Sequence, residues 1–176
     1  MVPFRHVVWD VRPYPANPAS GMLFAVAFDR NGLEVIPRDE CLELLRGSDL
    51  GRVVVAMGAL PAALPVNYAM LGEDVVFMTG TGTKLQQAVK KAVVAFEVDE
   101  IDSAARSGWS VLVTGWSSLV THPDEIAAIR QLGLETWLPV VRGHFVKIRS
   151  EMVSGRRLAR PEGLHRLPAG AVAGER

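Results

Sequence analysis

The residues best suited to chemistry lie in one run, Val75-Val76-Phe77-Met78-Thr79-Gly80-Thr81-Gly82-Thr83-Lys84-Leu85. A β-forming apolar stretch ends, two glycines punctuate a turn, and a helix-forming stretch begins. Such a junction leaves backbone N–H groups unpaired at a helix start, where hydrogen bonding and the dipole both attract phosphate. Gly80 and Gly82 let a ligand come close to the backbone. Thr79, Thr81 and Thr83 offer hydroxyls, and Lys84 offers a point charge. The plainer alternative is that Thr83 only caps the helix and Lys84 points to water. Two familiar phosphate loops do not fit. A Walker loop needs Gly directly before its Lys, and here Thr83 intervenes. The dinucleotide fingerprint needs a third glycine where this chain has Leu85. Asp99 lies at a suitable distance for a ribose contact, but the flanking strands are joined by hairpins rather than by a helical crossover.

Other chemistries find less support. His6, His122, His144 and His165 are far apart and the chain has one cysteine, Cys41, so no metal-ligand spacing is present. No Gly-x-Ser-x-Gly elbow marks a nucleophilic serine. His144 is a candidate acid–base group or a residue at a barrel rim. Cys41 falls in an apolar helical pattern and is assigned to the core.

The elements that must position the glycine–threonine turn are mostly short strands. Leu23–Phe28 and Leu33–Ile36 read as strands around the turn Asp29-Arg30-Asn31-Gly32. Pro37 to Arg46 reads as a helix, with Pro37 in its first turn and Gly47 at its end. Arg52–Met57, Ala62–Met70 and Val75–Thr79 form a meander whose links are too short for parallel crossovers. A short helix follows over Lys84–Lys91, then a strand at Val93–Val98 and a polar loop at Asp99–Ser107. Trp109–Val120 reads as a long strand with Val111, Val113 and Ser117 on one face and Leu112, Thr114 and Trp116 on the other. Its Gly115 marks a bulge or a barrel corner. Pro123–Leu132 is a helix, residues 133–143 a loop, and His144–Arg149 and Met152–Leu158 the closing strands. About six core strands with three short helices favour a closed barrel.

Composition sets the frame. The 176 residues suit one domain, with 49% hydrophobic and 22% charged residues. Lys plus Arg equals Asp plus Glu at 19 each, so no global field favours nucleic acid or an anionic membrane. Basic residues do gather late, at Arg142, Lys147, Arg149, Arg156, Arg157 and Arg160. They form either a solvated rim or a phosphate-facing edge. No run approaches the length of a membrane span, and the N-terminus lacks the pattern of a signal peptide, so a cytoplasmic protein is expected. Residues 1–36, with Pro3, Pro13, Pro15 and Pro18, are expected to be an N-terminal extension carrying a hairpin. Residues 37–158 are expected to be the main domain, and 159–176 a disordered tail.

Two spans together carry a family resemblance. Leu64-Pro65-Val66-Asn67-Tyr68 is followed, after a hairpin, by Thr79-Gly80-Thr81-Gly82-Thr83-Lys84-Leu85. Val94–Asp99, Gly108-Trp109-Ser110-Val111 and the ending Val153-Ser154-Gly155-Arg156-Arg157 continue the pattern. Over about residues 37–158 the chain resembles the pyridoxamine 5'-phosphate oxidase-like proteins, in their actinobacterial branch. The resemblance implies a mainly β fold, a six-stranded antiparallel split β-barrel of the FMN-binding type. It implies a homodimer with FMN between the subunits and a small-molecule substrate oxidised or reduced by the flavin. It places the backbone of Pro65, Val66, Asn67 and Tyr68 beside the isoalloxazine ring, and Thr79, Thr81, Thr83, Lys84 and Leu85 at the phosphate. Trp109 and Ser110 would approach from the partner subunit, and Trp137 and His144 would border the substrate side. The basic residue that well-studied members carry near Ala62-Ala63-Leu64 is missing, and their vitamin contacts have no match here. Flavin-dependent oxidoreduction is therefore the first expectation. A deazaflavin cofactor in place of FMN, or a non-catalytic flavin- or ligand-binding role, are its alternatives.

Overall fold

The computed structural model describes residues 27–58, 60–134, 137 and 143–158. The expected strand Leu23–Phe28, but for its last two residues, and the expected tail 159–176 lie outside them. Phe28 itself makes a single bridge to Glu34.

Among the described residues, eight strands and three helices follow in order: β1 (Glu34–Ile36), α1 (Arg38–Arg46), β2 (Leu50–Met57), β3 (Leu60–Leu71), β4 (Asp74–Gly80), α2 (Lys84–Ala88), β5 (Ala92–Asp102), β6 (Ser107–Leu119), α3 (Pro123–Gln131), β7 (Gly143–Ile148) and β8 (Met152–Leu158). All strand pairs are antiparallel. The sheet runs β1-β8-β6-β5-β2-β3-β4-β7, and β7 returns to β6. Six strands, β6-β5-β2-β3-β4-β7, thus close a ring, with β8 and β1 attached outside it. This is the expected six-stranded barrel, with two further strands.

The split in the barrel has a local cause. β7 and β8 share one edge of β6: Ser117–Leu119 pairs with β7 and Gly108–Thr114 with β8. Between these two pairings the chain turns sharply past Gly115. A β-carbon at Gly115 would stand 1.8 Å from the Arg149 carbonyl oxygen, so only glycine lets the corner press against β6. The expected corner is therefore real, and its reason is backbone contact.

Strand faces follow the alternation in sequence. Val111, Val113 and Ser117 are buried, whereas Leu112 and Trp116 are exposed. The ring encloses Val53, Val55, Val75, Phe77, Phe96, Val98, Val146 and Ile148. Helix α1 adds Cys41, Leu42 and Leu45 to this core, in keeping with the core assignment of Cys41. Helix α3 covers the outside of β4 and β7: Val76 packs with Ile129 and Val120, and Phe145 borders them. Strand β4 is buried on both faces in consequence, which is why Val75-Val76-Phe77 reads as a continuous apolar run.

Two expectations are corrected. The polar segment Asp99–Ser107 is not a loop: β5 runs to Asp102 and β6 starts at Ser107, so a hairpin projects beyond the barrel. Cross-strand hydrogen bonds from Ala92 to Asp102 outweigh the polar composition, and beyond the barrel both faces of the hairpin, Asp99 to Asp102, stand in water. Helix α2 ends at Ala88 rather than Lys91, and Lys91 takes a left-handed φ of 54° to enter β5. Among the described residues no helix is long and apolar enough to cross a membrane.

Candidate functional site

Strand β3 is the key to the site. β2 pairs with β3 along its whole first part, Leu60 to Asn67. β4 pairs with the other edge only from Tyr68 to Leu71. Beyond that point β4 diverges toward β7, where Thr79 pairs with His144 and Gly80 with Gly143. Among the described residues, the edge of β3 from Leu60 to Asn67 that faces β4's end is therefore left unpaired. Unpaired strand N–H and C=O groups are a ready hydrogen-bonding surface for a ligand. Ala62, Leu64 and Val66 turn their side chains to the core, while Pro61, Ala63 and Pro65 face outward.

The turn after β4 borders this edge. Gly82 has a φ of 73°, which favours glycine. Thr83 caps α2: its hydroxyl accepts the Gln86 N–H at 3.0 Å and donates to the Gly80 carbonyl at 3.0 Å. Thr79 Oγ1 lies 3.0 Å from Thr83 Oγ1. Since the one Thr83 proton is committed to Gly80, Thr79 is the donor of this pair. Thr79 is only 4% exposed, so it braces the turn from beneath. Gln86 reaches back to accept the Gly82 N–H at 2.6 Å, a variant of the capping box. The outward donors are then the Thr81 hydroxyl, the Lys84 ammonium and the N–H groups of Lys84 and Leu85, which carry no hydrogen bond among the described residues. Helix α2 has five residues, so its dipole adds little and the donors themselves must hold an anion. The capping alternative is thus realised by Thr83, and it coexists with free donors.

Asn67 and Trp137, two candidates 70 residues apart, meet here. The Asn67 side-chain Oδ1 accepts the backbone N–H of Trp137 at 3.0 Å, and its Nδ2 donates to the Asp49 main-chain carbonyl at 3.4 Å. The Tyr68 side chain points the other way. It is buried, donates to the Leu45 carbonyl at 2.6 Å and stands edge-on to Phe96 with centroids 4.8 Å apart. Burial pushes its phenol well above the usual range, so Tyr68 offers the site only its backbone.

Trp109 and Ser110 lie elsewhere. Trp109 pairs with Glu100 and Arg157 near the start of β6 and packs against the core. With Ser110, Ile101, Arg106 and Leu158 it lines a cavity of about 260 Å³. Leu119, ten residues later on β6, pairs with Val146, and His144 lies two residues further along β7. At ~3.3 Å per residue, Trp109 and the Thr79–Leu85 turn occupy opposite ends of the barrel in one chain. Between these ends, Val93, Leu112, Trp116 and Met152 stand exposed together on the outer face of β5, β6 and β8. Alternation identifies Trp116 as outward, yet only the assembled sheet shows that its neighbours make an apolar patch.

Three of the late basic residues are engaged in structure. Lys147 pairs with Glu125, Arg156 with Asp29 at 2.9 Å, and Arg157 with both Glu34 and Glu40. They hold α3, the 28–34 hairpin and α1 to the barrel, while Arg142 and Arg160 lie outside the described residues. Among the described residues no group of His, Cys, Asp and Glu is placed to bind a metal.

Fold and site define a split barrel whose open strand edge lies beside a turn with outward hydrogen-bond donors. The sequence pattern of the pyridoxamine 5'-phosphate oxidase family matches residues 37–157. An uncharacterized protein of Mycobacterium tuberculosis is 38% identical over 128 residues, covering 70% of this chain and 84% of its own. The FAD binding protein of Mycobacterium smegmatis superposes with a TM-score of 0.64 at 30% identity, over 71% of this chain and 99% of that one. A conserved protein of unknown function from Corynebacterium diphtheriae does so at 0.61 and 28% identity, over 72% and 98% of the two chains. The chain belongs to the pyridoxamine 5'-phosphate oxidase family.

Proposed function

We propose that the protein binds FMN and acts as a flavin-dependent oxidoreductase on a small molecule, as a homodimer in the cytoplasm. One observation carries the reading: the edge of β3 at Leu60–Asn67, unpaired among the described residues, lies beside a turn whose outward groups are hydrogen-bond donors and a lysine. A flavin ring has a row of acceptors and one N–H along one side, which suits an extended backbone edge. Its phosphate suits Thr81, Lys84 and the N–H groups of Lys84 and Leu85. A bound flavin supplies hydride and single-electron chemistry, and the protein supplies orientation and exclusion of water.

The dimer reading is supported by the register. Trp109 and Ser110 of one chain are a barrel's length from its own turn. A two-fold pairing through the exposed face around Leu112 and Trp116 would carry them to the turn of the second copy. Leu112→Glu together with Trp116→Glu should then give a monomer by light scattering with weakened flavin binding. A dimer that persists unchanged would remove this face from the reading.

FAD is the second reading for the cofactor, favoured by the similarity to the FAD binding protein of Mycobacterium smegmatis; a deazaflavin is the third. Visible absorbance titrations with FMN, FAD and a deazaflavin separate them. Saturation at one FMN per chain, with weaker FAD, supports the proposal. Binding of none of the three overturns it. Reduction and reoxidation of the bound flavin by added electron donors and acceptors then tests the enzyme against a carrier.

A further inference from the structure

We infer that Pro61 and Pro65 set what the open edge of β3 can bind: they strip donors from it, so that it takes a planar ring bringing its own N–H and refuses a further strand. This rests on the flavin reading above and names the hydrogen-bond pattern of the ring site. The direction of each backbone group follows from the ladder. In an antiparallel pair, alternate residues turn both N–H and C=O to the same neighbour. The Tyr68 N–H donates to the Asp49 carbonyl at 3.0 Å, on the β2 side. The register with β2 runs without a break from Leu60 to Asn67, so Leu60, Ala62, Leu64 and Val66 also turn their groups to β2. Pro61, Ala63, Pro65 and Asn67 turn theirs the other way, to the edge that β4 leaves open.

Proline has no N–H. Both prolines of β3 fall in the outward set, which is why they leave the ladder with β2 intact. The open edge therefore presents the carbonyls of Pro61, Ala63, Pro65 and Asn67 but only the N–H groups of Ala63 and Asn67. None of these backbone groups has a hydrogen-bond partner among the described residues. The Asn67 side chain adds nothing to the edge, because its Oδ1 takes the Trp137 backbone N–H and its Nδ2 donates to the Asp49 carbonyl. A neighbouring strand would bring N–H and C=O groups in equal number and meet two missing donors, so the edge resists strand addition. A ring with an N–H beside a carbonyl suits it better. The Pro65 carbonyl and the Asn67 N–H are consecutive groups on the edge, as are the Pro61 carbonyl and the Ala63 N–H, and either pair complements such an amide. The pyrimidine ring of a flavin carries this group in its imide.

The experiment uses the full chain, with FMN and its N3-methyl analogue as probes. Amide exchange is read residue by residue by NMR, beside visible absorbance titrations. In the free protein Ala62, Leu64 and Val66 should be protected, while Ala63 and Asn67 exchange freely. Saturating FMN should slow Ala63 or Asn67 by about tenfold or more, and the N3-methyl analogue, which lacks the imide N–H, should bind about tenfold or more weakly. Pro61→Ala together with Pro65→Ala returns both donors to the edge. By light scattering this double variant should form species larger than wild type, growing with concentration and suppressed by FMN. If it does not fold, Pro65→Ala alone makes the same comparison. A visible band shift with neither amide slowed overturns the inference alone. So does equal binding of the two probes, or a proline variant that associates no more than wild type. Absence of any visible band shift in wild type overturns the flavin reading itself, and the ring named here with it.

Discussion

Replacing Thr83 with valine removes one hydroxyl at nearly constant shape, and the structure says what that hydroxyl holds. It accepts the Gln86 N–H, donates to the Gly80 carbonyl and accepts from Thr79, each at 3.0 Å. Loss of the helix cap costs about 1 kcal/mol. Thr79 is 4% exposed, so water cannot replace its lost acceptor, and an unsatisfied buried hydroxyl costs about 1–3 kcal/mol more. The expected destabilisation is therefore about 2–4 kcal/mol. At ~2–4 °C per kcal/mol for a chain of this size, Tm should fall by roughly 5–15 °C. Thr83→Ser keeps the hydroxyl and should cost under ~1 kcal/mol. Calorimetry and urea midpoints without ligand, at one protein concentration because a dimer's stability depends on it, give both numbers. A Thr83→Val protein within ~0.5 kcal/mol of wild type would refute the network. So would a Thr83→Ser protein as unstable as Thr83→Val. FMN affinity should fall with Thr83→Val as well, since the turn that presents Lys84 loses its brace.

Lys84→Ala should weaken FMN binding by roughly 10–100-fold, the size of one charge-assisted hydrogen bond, with stability and dimer unchanged; equal affinity by absorbance titration would remove Lys84 from the phosphate site. Gly115→Ala should cost ~3 kcal/mol or more, or prevent folding, because the β-carbon would meet a backbone oxygen that cannot move away; a soluble protein with an unchanged melting curve would show that the corner is built differently. Desolvation opposes the charge on Asp29, but the N–H groups of Leu33 and Asn31 and the Arg156 guanidinium outweigh it and hold the carboxyl below its usual 3.8. The sign follows: this carboxylate adds stability that is full above about pH 4 and is lost as pH falls through its lowered pKa, so Asp29→Asn should flatten the lowest part of the acid-stability curve. An unchanged acid limb in urea unfolding would contradict it.

Sequence reasoning reached the six-strand ring, the inward and outward faces of β6, the corner at Gly115 and the helix start at Thr83. These rest on local physics, namely alternation along a strand, the absence of a β-carbon, and side-chain capping. It went astray where tertiary pairing overrides composition, at the polar hairpin 99–107 and the last turn of α2. Asp99 and Glu100 look like loop residues, yet they sit in a ladder because the opposite strand supplies their hydrogen bonds.

The site divides in the same way. From sequence alone came the turn Thr79–Leu85, which residue type and spacing mark, and the family resemblance added the strand Leu64–Tyr68 and the isolated candidates Trp109, Trp137 and His144. Only the tertiary structure decided that Thr79 is a brace, that Tyr68 belongs to the core and that Asn67 is tied to Trp137. It alone also decided that one edge of β3 is free among the described residues and that Trp109 lies at the far end of the barrel. Those facts depend on strand register and on where β4 leaves β3 for β7. Register is set by the packing of all six strands together, and no single segment of sequence contains it.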